Sequence, residues 1–155
     1  MIRLTSLVLV AALAAPVVAR AAILVEQPEL RASIGTLRTS AAYMTVRNTG
    51  PASDKLVSAT CACAAMATLH RSVEAGGVAR MAKEAPIVIP PGGSVVFAPN
   101  GLHVMLTGVG TPIQAGAKVP VVLKFEKAGA MTVLFTASNT PGMGVTPASK
   151  QHAHH

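Results

Sequence analysis

Tryptophan is absent from this chain, and one tyrosine and three phenylalanines are its only other aromatic residues. The Lys and Arg residues are scattered singly and form no stripe. With so few rings to stack on bases, a net charge of +7 does not indicate nucleic acid. A mildly basic surface suits an acidic protein partner instead. Carboxylates are also scarce: there are six, with no paired motif for acid–base work. No Ser-His-Asp set is visible either, so an enzyme is not expected. The only cysteines are Cys61 and Cys63, in a C-x-C. This is not the redox C-x-x-C motif. Both precede His70 and none lies near His103, whereas a blue-copper electron carrier needs a Cys thiolate beside two His ligands. There are no internal repeats, and no long segment has helical periodicity with caps.

One long apolar run is present. Arg3 opens it, Leu4 to Val18 is apolar apart from Thr5 and Ser6, and Ala19-Arg20-Ala21 matches a small-x-small cleavage pattern. The run is short of the ~20 residues of a transmembrane helix. It predicts a secretory signal peptide over residues 1–21. No Cys follows it at a cleavage point, so no lipid anchor is expected. The processed protein would be periplasmic, without stable membrane insertion.

After the leader, short β-type segments recur from about residue 32 to 136. They are separated by turn signals such as Asn48-Thr49-Gly50-Pro51, Gly76-Gly77, Pro90-Pro91-Gly92-Gly93 and Pro99-Asn100-Gly101. Seven or more short strands at this spacing predict an all-β sandwich or barrel over 22–136. From Ala137 the composition turns to Pro, Gly, Ser and Thr, which predicts a flexible tail over 137–155.

Five histidines and seven methionines outweigh the charge as evidence. His103 and Met105 flank Val104, so on a strand they project to one face. If Gly76-Gly77 is a two-residue hairpin loop, Ser72 lies opposite Met81 and His70 opposite Lys83. His70 and Met81 then share a face as diagonal neighbours. Two imidazoles and two thioethers suit Cu(I): thioether sulfur is soft and imidazole suits copper, whereas zinc prefers thiolate or carboxylate. Methionine also survives an oxidising compartment, where paired thiols tend to close into disulfides.

The spacing His70, ten residues, Met81, twenty-one residues, His103, one residue, Met105 resembles the signature of the periplasmic copper chaperone family PCuAC. Ala42 to Gly50 (AYMTVRNTG), Gly101-Leu102-His103-Val104-Met105 and Val119 to Gly129 (VPVVLKFEKAG) resemble it too, and the likeness runs over residues 26–136. The resemblance implies a cupredoxin-like or immunoglobulin-like Greek-key β fold without a blue-copper site. It also implies delivery of Cu(I) to a respiratory oxidase copper centre or its assembly factors. Where many relatives carry Met after the first His, this chain has Arg71, which alternates to the opposite face from His70.

Secondary candidates remain. Cys61 and Cys63, both on one face of a strand, are candidate soft-metal ligands or could oxidise with other chains; a bond between residues two apart is strained. Met143, His152, His154 and His155 in the tail are candidate ligands for a second copper, since some relatives carry His- and Met-rich extensions that bind Cu(II). Tyr43 and Met44 are assigned to packing or the rim, and Met66 and Met131 to structure. A monomer is expected. Copper storage or tolerance, and a metal-free interaction sandwich, are the alternatives. With excess Cu(II), the protein is expected to show no intense visible thiolate-to-copper band. An absorption titration checks this, and a strong blue colour would restore the electron-carrier reading.

Overall fold

The computed structural model describes residues 22–142. The signal peptide expected over 1–21 lies outside them, as does the tail from Met143 on. Ten strands make up the fold: β1 (Ile23–Arg31), β2 (Thr39–Asn48), β3 (Asp54–Thr60), β4 (Ala64–Ala75), β5 (Val78–Lys83), β6 (Ile87–Ile89), β7 (Ser94–Phe97), β8 (Leu102–Val109), β9 (Lys118–Phe125) and β10 (Gly129–Ser138). The described residues contain no helix. The expected all-β architecture is therefore present. Sheet order is β5-β4-β8-β7-β2-β1-β10-β9-β3-β6, with β2 also pairing to β8. The sheet does not close into a barrel, and β5 and β6 are its edges.

Alternation of side chains builds the core. In β9, Val119, Val121, Leu123 and Phe125 are buried while Lys118, Pro120 and Lys124 are exposed. In β8, Leu102, Val104 and Leu106 join the same core, as do Ala42, Met44 and Val46 of β2. All three phenylalanines, Phe97, Phe125 and Phe135, are at most 1% exposed. The few aromatics of this chain are spent on packing.

Two differences from the sequence-based expectation concern the ends of the domain. β1 was not expected, because Pro28 and a broken alternation interrupt it. The structure accommodates them in a β-bulge: Gln27 has φ 50°, and the register with β2 shifts between Glu26 and Glu29. At the other end, the chain does not leave the fold at Ala137. Leu30 pairs with Ala137 and Arg31 with Ser138, and Ala137 is buried. Its N–H donates to Ala117 O, and its carbonyl accepts from Gly116. A small apolar residue pinned by two backbone bonds looks like a linker in composition but is a strand end.

One buried charge ties β3 to the β9–β10 turn. Asp54, 1% exposed, accepts bonds from Lys55 N and Lys127 N at Oδ1 (2.7 and 2.8 Å) and from Ala128 N at Oδ2 (2.9 Å). Burial alone would raise its pKa. The three N–H donors and the Lys127 charge outweigh this and hold it below the usual 3.8. A carboxyl with a depressed folded pKa stabilises fully above the unfolded value, and the contribution is lost as pH falls through the folded one. Asp54→Asn is therefore expected to lower stability by about 2 kcal/mol at neutral pH. It should also flatten the loss of stability below about pH 4. Denaturant melts at pH 7 and pH 3 check this; equal differences between wild type and variant at both would contradict it.

Candidate metal centre

His70, Met81, His103 and Met105 lie on three adjacent strands, β4, β5 and β8. A glycine pair places the first two. Gly76 and Gly77 take φ of 60° and 74°, a backbone disfavoured for residues with a β-carbon. They close β4 onto β5 in a two-residue turn. Ala75 faces Val78, Ser72 faces Met81 and His70 faces Lys83. This is the register expected from the sequence.

The second contact is non-local. β4 pairs antiparallel with β8, which sets His70 opposite His103 and Thr68 opposite Met105. Leu69 and Val104 turn into the core. Alternation therefore sends Thr68, His70, His103 and Met105 to the other face of the sheet. On the far side of β8, Ala41 of β2 lies opposite Met105. Tyr43, on the same face of β2, is buried. A cavity of about 310 Å³ opens here, with Met81, His103, Met105, Tyr43, Arg31 and Leu37 on its wall. His103 is 4% exposed and Met81 63%.

The two imidazole rings meet edge to face, with centroids 5.9 Å apart and planes at 66°. His103 Nδ1 lies 3.1 Å from Gly101 O. A carbonyl only accepts, so Nδ1 carries the proton and Nε2 keeps a lone pair. His70 Nε2 lies 3.1 Å from the Thr68 hydroxyl. The remaining nitrogens, His70 Nδ1 and His103 Nε2, are buried without a hydrogen-bond partner. Leaving a buried polar atom unpaired costs about 1–3 kcal/mol. Burial, then the nearby His103 and Lys83, hold the His70 pKa below its usual 6.5. Each disfavours the imidazolium and keeps the ring available as a ligand.

Imidazole and thioether are the donor types that suit a soft cation such as Cu(I). Among the described residues, no three His, Cys, Asp or Glu side chains cluster to hold an ion. Arg71 points its charge elsewhere: it is ion-paired to Glu84, with Nη2–Oε1 at 2.8 Å.

The other sequence candidates fall away from this face or outside the described residues. Cys61 and Cys63 are bonded to each other, not held apart on one face of a strand. An extended segment would separate their Cα atoms by about 6.7 Å. Here the chain turns, with Ala64 N donating to Cys61 O, and the Cα atoms are 5.1 Å apart. In this bonded form the pair offers no thiolate to a metal. Met66 is 58% exposed and is not a packing residue, whereas Met131 does pack against the core. Met143, His152, His154 and His155 lie outside the described residues. Sequence reasoning passed over Thr68 and the Gly101 carbonyl. Thr68 was within reach of the same period-two argument, being two residues before His70.

Residues 23–137 match the LpqE-like family. The chain is 36% identical over 88 residues to lipoprotein Lxx21020 of Leifsonia xyli subsp. xyli (strain CTCB07), covering 56% of this chain and 53% of that protein. It thus spans about half the length of that relative. Among solved structures, the copper-bound PCuAC domain from PmoF2 superposes with a TM-score of 0.67 at 28% identity, covering 79% of this chain and 97% of that one. The Cu(I) form of DR1885 from Deinococcus radiodurans gives 0.60 at 30% identity, covering 75% and 79%.

In metal-free protein, the His70 ring is expected to titrate below 6.5. His103→Gln should move that midpoint up by removing a ring whose protonated form would repel a charged His70. Proton NMR of the imidazole signals checks both; an unshifted midpoint in the variant would contradict the coupling.

Proposed function

Because the chain belongs to the LpqE-like family, which is the PCuAC family of copper-binding domains, we propose that it is a copper chaperone of the periplasm. It takes one Cu(I) as cargo through His70, Met81, His103 and Met105 and gives it up to an acceptor. The supporting observation is the pair of buried, unpartnered nitrogens, His70 Nδ1 and His103 Nε2, on neighbouring rings. No protein donor satisfies them. A soft cation between the rings would use both lone pairs.

The four donors differ in accessibility, and this suits transfer. His103 is buried and held by Gly101 O, whereas Met81 is mostly exposed on the edge strand β5. Met81 is the ligand an incoming thiolate or thioether displaces first. The histidines then hold the ion until the acceptor's second ligand arrives. All four donors are neutral, so the ion is held without strong Coulomb attraction to the protein. The acceptor chemistry that fits is a thiolate-rich copper centre of a respiratory oxidase, or an assembly factor that loads it. Export through the leader at 1–21 would place the protein where such centres are built.

The tail is an accessory copper segment in this reading. The described chain ends at Gly142, whose N–H donates to Glu29 Oε2 (2.8 Å). A β-carbon at Gly142 would lie 2.5 Å from Pro99 Cδ and 3.6 Å from Tyr43 Cδ2, and both residues line the cavity. Beyond Gly142 the sequence carries Met143, His152, His154 and His155, and nitrogen ligands suit Cu(II).

The wild-type chain is expected to bind one Cu(I) tightly at the core site. His103→Ala/Met105→Ala should weaken this by more than about 100-fold, beyond the cost of losing an outer-shell partner. Competition against a chromophoric Cu(I) chelator under reducing conditions checks this. Equal affinity in wild type and double variant would remove the proposal and favour a metal-free interaction domain.

A further inference from the structure

The two histidines of the site are held in different ways. His103 donates from Nδ1 to the carbonyl of Gly101. That carbonyl is itself fixed by the backbone, because Ser72 N also donates to it at 3.0 Å. His103 therefore has its proton placed by main chain. His70 has no such support. Its one hydrogen-bond partner is the side chain of Thr68, at 3.1 Å from Nε2.

Thr68 sits where several constraints meet. It shares the site face of β4 with His70, two residues away, and lies opposite Met105 on β8. It is half-buried. Period-two geometry makes Thr68, His70, His103 and Met105 the corners of one patch. Three corners are proposed ligands and the fourth is a hydroxyl, a donor of the wrong softness for Cu(I).

The chemistry of a neutral imidazole gives that hydroxyl a task. The ring carries one proton, on either nitrogen. With the proton on Nδ1, a buried N–H would have no acceptor. With it on Nε2, the Thr68 oxygen accepts it, and the Nδ1 lone pair is left free of any protein partner. From this geometry we propose that Thr68 is a positioning residue: its hydroxyl selects the Nε2–H tautomer of His70, so that Nδ1 is the atom offered to the metal. The proposal rests on the Cu(I) reading above and adds which atom binds and what aims it. Outer-shell partners of ligating histidines commonly act in this way, fixing tautomer and ring orientation. Here a side chain does for one histidine what main chain does for the other.

The test uses the full chain and two substitutions. Thr68→Val keeps the shape and β-branching but removes the acceptor; Thr68→Ser restores the hydroxyl. Two readouts are needed. The first is the ¹⁵N chemical shifts of the His70 ring in metal-free protein, which report the protonated nitrogen without any copper. The second is Cu(I) affinity by chelator competition. Wild type and Thr68→Ser should both show Nε2–H at His70 and similar affinity. Thr68→Val should show a mixture of tautomers and bind Cu(I) about 10- to 100-fold more weakly, while melting like wild type. If Thr68→Val retains both the tautomer and the affinity, the positioning role is overturned and the copper site stands. If the wild-type chain binds no Cu(I), the copper reading is overturned and the positioning role with it. The metal-free shifts would then still report whether the contact exists.

Discussion

Everything at the candidate site depends on the register between β4 and β8. Were it to slip by one residue, every side chain on one strand would change face. The register is held from the core side. Leu69 on β4, and Leu102, Val104 and Leu106 on β8, are all buried, and none can leave without exposing apolar surface worth roughly 1.5–3 kcal/mol per side chain. The same packing that fixes these residues inward forces His70 to face His103. The site is therefore a consequence of the core, paid for in advance by two imidazole nitrogens that are buried without a protein partner.

Under the proposed copper role, this arrangement would let the face hold an ion and still release it. A preformed histidine pair spares the cation most of the cost of ordering its ligands, and neutral donors keep the attraction moderate. The exposed thioether of Met81 sits on an edge strand whose residues are all exposed. Arg71, the departure from the PCuAC pattern, is directed away and neutralised by Glu84. The substitution leaves the charge balance of the face that carries His70 and His103 unchanged.

Local features were legible in the sequence and non-local ones were not. The Gly76-Gly77 turn fixed the parity of β4 against β5, so the diagonal of His70 and Met81 followed from counting. Val104 between His103 and Met105 likewise gave their common face. Nothing local shows that β4 and β8 are neighbours, since residues 76–101 and three strands separate them in the chain. The likeness to PCuAC supplied that link. β1 was hidden by the bulge at Gln27 and Pro28. The C-x-C deceived because it looks extended but turns. Ala137 deceived because a small residue before a Pro- and Gly-rich stretch resembles a linker, and only its pairing with Leu30 and Ala117 marks it as strand.

The most direct test of the account is X-ray absorption at the copper edge of the full chain loaded with one equivalent of Cu(I). Mixed sulfur and nitrogen scattering is predicted, with the sulfur contribution reduced in Met105→Ala and the nitrogen contribution reduced in His103→Ala. A first shell of nitrogen or oxygen alone, or one unchanged by either substitution, would contradict the claim that this face of β4, β5 and β8 is where the ion is held.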